Sequence, residues 1–169
     1  MPPSARSVDA RVVVSDAGPL IALGRLDLLA LLPKVFAQVQ VPTAVLDECV
    51  ARPDNADAQR IQQAVDRHWL VACEAVPIVK EGLDPGECAA IARALEISAG
   101  LLADDQAARQ YALEIGLHVI GTLGVLVLAK QAGHLAAIKP LIDRLRASGQ
   151  RLSHAAVAQA LASASETAN

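Results

Sequence analysis

Val12-Val13-Val14-Ser15-Asp16-Ala17-Gly18-Pro19-Leu20-Ile21 decides the fold. An apolar run this short, ended by an acid and a Gly-Pro step, reads as a buried parallel strand, a turn and the start of a helix. The helix continues at helical period through Leu20, Leu23, Leu26 and Leu29-Ala30. Strand, turn and helix form half of a βαβ unit. Gly100-Leu101-Leu102-Ala103-Asp104-Asp105 repeats the pattern of a short apolar strand closed by acids. Ligands of open parallel sheets bind beyond the carboxyl ends of the strands, where the connections diverge, so Asp16 and Asp105 are expected to be neighbours.

The remaining elements follow from the same signals. Val39-Gln40-Val41 reads as strand two, with Pro42 in the first turn of a helix carrying Val45, Leu46, Glu48 and Cys49. Ile61, Val65 and Trp69 mark an amphipathic helix, and 70–76 reads as strand three. Asp84-Pro85-Gly86-Glu87 combines an N-cap acid, a proline at the first helical position and a Glu three residues after the cap, a helix start continued by 89–97. A helix over 106–115 is closed by Gly116, and Val119-Ile120 is strand five, ending at Gly121-Thr122. Helices over 123–131, 135–147 after a Gly133 break, and 155–164 after a Ser153 cap complete the chain. Right-handed crossovers then predict a three-layer α/β fold around a parallel sheet of order 3-2-1-4-5. The expected organisation is one domain over 1–164, with a core over 12–122, C-terminal helices over 123–164 and a frayed tail over 165–169.

A chain of 169 residues with 53% hydrophobic content suffices for one core. Only 2% of residues are aromatic, so base-stacking platforms are nearly absent. A net charge of -3 argues against a general nucleic-acid coat protein, because sequence-independent binding rests on Lys and Arg. Lys130, Lys139, Arg144, Arg146 and Arg151 nevertheless make 130–151 positive, which suits a phosphodiester substrate or, equally, a solvated helix face. Cys49, Cys73 and Cys88 have no C-x-x-C spacing and read as reduced thiols. Residues 1–11 lack the apolar core of a signal peptide, and no stretch reaches the roughly 18 apolar residues of a membrane span, so a cytoplasmic protein is expected.

Two further acids, Glu48 and Glu87, lie on predicted helices that lean over the rim holding Asp16 and Asp105. Clustered carboxylates repel unless a cation or proton sits between them, so the pattern points to divalent-metal chemistry. An acid ending a buried strand, as Asp16 does, is costly without a partner. Each of the others has a second reading. Glu48 could be a solvated helix residue beside Asp47, and Glu87 could serve as the capping-box acid. Of Asp104 and Asp105, one could cap the next helix while the other binds metal. Arg109, four residues after Asp105, could pair with it or contact phosphate, and Thr122 could bond a metal-held water or cap a helix.

Taken in order, Val14 to Ile21, Val41-Pro42-Thr43-Ala44-Val45-Leu46-Asp47-Glu48, Leu83-Asp84-Pro85-Gly86-Glu87 and Leu101-Leu102-Ala103-Asp104-Asp105 with Arg109 resemble the PIN-domain nuclease family. Gly121-Thr122-Leu123-Gly124 and the extra C-terminal helices resemble a prokaryotic branch of it. The resemblance implies Asp16, Glu48, Glu87 and Asp105 as catalytic metal ligands, with Asp104 beside them and Mg²⁺ or Mn²⁺ as cofactor. It further implies hydrolysis of single-stranded RNA by a metal-activated water, as in VapC-type toxins that pair with a small antitoxin. Arg109, Thr122, Arg144, Arg146 and Arg151 are the candidate substrate contacts, and a homodimer is the expected assembly. The rival is a non-catalytic PIN-like module that binds nucleic acid or protein. A receiver domain would place a Lys at the end of strand five, where Gly121-Thr122 stands, and a haloacid-type phosphatase would need an Asp at the position of Gly18.

Overall fold

The computed structural model describes residues 11–168. Its centre is a parallel five-stranded sheet, β1 (Val12–Ser15), β2 (Gln38–Pro42), β3 (Val71–Cys73), β4 (Gly100–Leu102) and β5 (Val119–Ile120), in the order β3-β2-β1-β4-β5. The predicted order is the observed one. Ser15 stands opposite Leu102 in the register, so the residues after β1 and β4 emerge side by side.

Nine helices among the described residues surround the sheet: α1 (Ala17–Arg25), α2 (Leu32–Val35), α3 (Thr43–Cys49), α4 (Ala56–Asp66), α5 (Pro85–Glu96), α6 (Gln106–Glu114), α7 (Thr122–Gln131), α8 (Lys139–Ala147) and α9 (His154–Ser163). On one face α1 packs against α4 and α7, while α5 lies over β1, β2 and β4. Between them, α3 touches both α1 and α5. That bridging position brings Glu48 to the rim where β1 ends. Val13, Val14, Leu101, Leu102 and Ile120 are buried in one apolar cluster that also takes in Leu126, Ile142 and Leu161 from the C-terminal helices. Full burial of side chains of this size contributes roughly 1.5–3 kcal/mol each.

Local chemistry explains the boundaries. Asp84 and Glu87 form a complete capping box at the start of α5, Asp105 caps α6 through the Ala108 N–H, and Ser153 caps α9 through that of Ala156. Gly116 at φ +89 follows α6, and Gly133 at φ +84 follows α7, the left-handed backbone that closes a helix at least cost in glycine.

Several expectations are corrected. Strand three stops at Cys73 rather than running to Val76, which is 89% exposed. Pro42 closes β2 and is at once the N-cap of α3, one residue before its first turn. The first helix ends at Arg25, and a 3-10 turn at Leu29–Leu31 and α2 take up the apolar residues beyond. Trp69 lies past the end of α4, beneath the Arg67 guanidinium. The helix expected from 135 starts only at Lys139. Glu166, placed by sequence in a frayed tail, is held: its carboxylate accepts from the Ile138 N–H at 3.0 and 2.9 Å and stands 3.6 Å from Lys130 Nζ. Residues 1–10, on which the reading of signal-peptide absence mainly rests, and residue 169 lie outside the described residues. Among those described, no helix is long and apolar enough to cross a membrane.

Candidate active site

Asp16 ends β1, and its backbone N–H donates to the Leu102 carbonyl at 2.9 Å. The side chain is only 6% exposed, and its Oδ1 is fully buried without a hydrogen-bond partner. Burial raises its pKa from 3.8 to about 7, a rise that the Ala17 N–H offsets in part and that the charges of Glu87, Asp84 and Glu48 reinforce. A buried carboxylate with a free oxygen is costly, and its neighbours here are other carboxylates.

Glu48, Asp84 and Glu87, which act on the charge of Asp16, come from α3 and the start of α5, and Asp105, at the start of α6, acts on Glu87. Glu48 on α3 is exposed but titrates above the ordinary range, through partial desolvation and then the charge of Asp84. It lies close to the start of α5: a Cβ on Gly86 would come within 3.0 Å of Glu48 Oε2 and 3.3 Å of Asp84 Oδ1. Glu87, 9% exposed, accepts from the Asp84 N–H through Oε2 at 2.9 Å, leaving Oε1 for another partner. Its pKa is also raised, first by desolvation and then by Asp84, Asp105 and Glu48. Asp105 is exposed and gives Oδ2 to the Ala108 N–H at 3.0 Å. Glu87 and Asp105 therefore each cap a helix, and the charge of Asp105 acts on Glu87 as well.

Asp104 has a different place. Its Oδ1 accepts from the Thr122 N–H at 2.7 Å and its Oδ2 from the Thr122 hydroxyl at 2.5 Å. The pair ties the end of β4 to the start of α7. Thr122 is 1% exposed, so its hydroxyl serves Asp104 rather than a ligand. Arg109 donates from a guanidinium nitrogen to the Ala103 carbonyl at 2.8 Å instead of pairing with Asp105. Arg151 lines a groove that also reaches Asp104 and Arg109. Arg144 and Arg146, exposed on α8, do not line it.

From sequence, Asp84 is a helix cap alone. Its charge nevertheless acts on Asp16, Glu48 and Glu87, and Gly86 beside it borders Glu48. The one available signal was the position of that capping box, on the helix whose Glu87 leans over the rim.

Among the described residues, no three acidic, histidine or cysteine side chains converge into a ready cage for an ion. The donor set still fits a hard cation. All its ligand atoms are oxygens, one is buried and unpartnered at Asp16, and a glycine leaves open the space beside Glu48. Mg²⁺ keeps several waters and needs only one or two carboxylates from the protein. Asp16, Glu48, Glu87 and Asp105 are the residues that would hold it.

No curated protein matches the sequence. Among solved structures, a PilT N-terminus domain protein from the archaeon Sulfolobus solfataricus P2 is 18% identical, with a TM-score of 0.47 and coverage of 85% of this chain and 98% of that one. A family model described as a PIN domain (DUF3368) matches residues 12–166. That match takes in every strand of the sheet and every acid of the rim, and the chain belongs to the PIN domain family.

Proposed function

We propose that this protein is a divalent-metal-dependent endoribonuclease that hydrolyses phosphodiester bonds of single-stranded RNA. PIN domains are generally nucleases and typically use divalent metals. The observation that carries the reading is the unpartnered, buried Oδ1 of Asp16, surrounded by the charges of Glu48, Asp84 and Glu87. Such an arrangement opposes folding unless something cationic completes it.

Mg²⁺ or Mn²⁺, when bound, neutralises the acids and lowers the pKa of a water toward neutrality, so that no nucleophilic side chain is required. The chain's own residues do the rest. Asp16 presents a rigid oxygen from the end of a buried strand, Glu48 supplies a carboxylate from the last turn of α3 and Glu87 one from the first turn of α5, and Asp105 adds a fourth from the cap of α6. The Asp104–Thr122 pair holds the β4 and β5 ends together. The order of the motifs further supports a role as the toxin of a VapC-type pair with a small antitoxin, working in the cytoplasm as a homodimer.

A non-catalytic PIN-like module is the second reading. Glu87 and Asp105 each give an oxygen to a helix cap, and the described acids form no ready cage. One experiment separates the two. Purified protein is titrated with Mn²⁺ by thermal shift, and cleavage of a labelled single-stranded RNA is followed for wild type and Asp16→Asn. The nuclease reading expects a Mn²⁺-dependent rise in Tm and cleavage, both lost in the variant. Equal cleavage by both proteins, or none by wild type with Mn²⁺, defeats it.

A further inference from the structure

The geometry points to a second binding site, a groove along the free edge of β5 that takes the sugar-phosphate backbone of RNA nucleotides flanking the scissile bond. The inference rests on the ribonuclease reading for the identity of the strand, though not for the existence of the site. The groove has a volume of about 890 Å³, near the upper end of the roughly 300–1,000 Å³ seen for ligand clefts. It lies between β5 and the starts of α6 and α7 on one side and α9 on the other. Its lining takes in Asp104, the neighbour in sequence of Asp105, and His118, the residue before β5. A strand leaving the acids therefore has a continuous path along it.

Three features select a polyanion. Arg109 and Arg151 both line the groove, and neither pairs with a carboxylate among the described residues. The acid at its edge, Asp104, gives both oxygens to Thr122. The lining is thus cationic in a chain whose net charge is -3. Arg109 is half-buried with one guanidinium nitrogen fixed on the Ala103 carbonyl, which positions the planar fork and leaves further donors for a phosphate.

The remaining surface suits a sugar-phosphate chain better than stacked bases. Leu123, Leu128 and Leu152 provide apolar floor, Gln106 and Gln150 can donate and accept, and no Phe, Tyr or Trp is present. β5 is paired on one side only, where the carbonyls of His118 and Ile120 accept from the amides of Leu101 and Ala103. Val119 between them is turned to the open edge, so its backbone polar groups face the groove. Backbone contacts of this kind bind RNA with little base selectivity.

The test is fluorescence anisotropy with a labelled single-stranded RNA and metal chelated by EDTA, so that binding is measured without cleavage. Arg151→Gln, Arg109→Gln and Ala156→Glu, which places a carboxylate on an exposed lining position of α9, are compared with Arg144→Gln, which removes a charge outside the groove. Circular dichroism confirms folding of each. Each groove variant is expected to weaken binding about 5- to 10-fold, and each Arg loss to reduce the salt slope by about 0.7, the value for one phosphate contact on a single strand. Arg109→Lys should restore part of the affinity, and Arg144→Gln should match wild type. Equal affinities and slopes in wild type and the groove variants would overturn the proposal, as would equal weakening by Arg144→Gln. Polyglutamate bound in an Arg151-dependent manner, with RNA binding unaffected, would assign the groove to an acidic protein segment and overturn it too. Groove-dependent RNA binding without cleavage in Mn²⁺ would leave this site standing and remove the nuclease reading alone.

Discussion

The Asp16 amide donates to the Leu102 carbonyl at 2.9 Å, which carries the β1–β4 ladder one residue beyond the strands themselves. The bond fixes the backbone of Asp16 at the level where β4 gives way to Asp104 and Asp105. An acid is thereby held rigidly where the charges of Glu87, Asp84 and Glu48 act on it. Its charge state becomes a property of the whole rim.

That coupling predicts the pH dependence of stability. Asp16 has its pKa raised from 3.8 to about 7, first by burial. A carboxyl that holds its proton more tightly folded than unfolded stabilises the native state at low pH, and the benefit is lost as pH climbs between those two values. Glu48 and Glu87 shift in the same direction. The full gap for Asp16 corresponds to at most about 4 kcal/mol. Metal-free protein should therefore melt several degrees higher at pH 5 than at pH 8, and Asp16→Asn should flatten the difference. Denaturation midpoints at the two pH values measure this, and parallel curves for both proteins would contradict it.

Thr122→Val tests the Asp104 anchor. The substitution keeps the volume but removes the hydroxyl that donates to Asp104 Oδ2, leaving a partly buried acceptor unsatisfied. The expected loss is about 1–3 kcal/mol of stability. Because Asp104 stands apart from the field on Asp16, cleavage per folded molecule should fall far less than in Asp16→Asn. A Thr122→Val protein as stable as wild type but devoid of Mn²⁺-dependent activity would instead place the hydroxyl at the substrate.

Much of the architecture was legible because it rests on short-range signals. The Val12-Val13-Val14 run, the Asp84-Pro85-Gly86-Glu87 start and the Gly116 stop each decide their element from neighbouring residues alone. The errors fall where distant contacts decide. β3 ends early because it is an edge strand paired only with β2, and nothing covers Val76. α8 begins late because its first free amide, that of Ile138, is met by Glu166 from beyond α9, a partner no local window contains. In the same way Asp84 looks like a simple cap until the fold brings Asp16 and Glu48 beside it.

Glu166→Ala should loosen the C-terminal helices. The carboxylate serves the start of α8 and Lys130 on α7 together, so its loss strands a half-buried amide and a cation. The expected cost is about 1–3 kcal/mol. Hydrogen exchange should quicken first in α8 and leave β1 and β4 protected. Glu166→Gln, which retains an acceptor oxygen, should lose less, and uniform exchange across the chain in either variant would show that the contact is not local in its effect.

Gly86→Ala separates the rim from the fold. Gly86 sits in the first turn of α5 with ordinary helical backbone, so alanine gains up to about 1 kcal/mol of helix propensity. Its methyl would, however, stand 3.0 Å from Glu48 Oε2 and 3.3 Å from Asp84 Oδ1. The end of a flexible Glu side chain gives way more easily than helix backbone, so Glu48 should be pushed off its place while the protein stays folded. The expected result is a Tm within a few degrees of wild type without metal, a smaller rise on adding Mn²⁺, and reduced cleavage. Glu48→Gln should reproduce the loss, and Gly86→Ala should add little to it in the double variant, because both act through the same carboxylate. Full additivity of the two would mean that Gly86 acts on the site by some route other than Glu48.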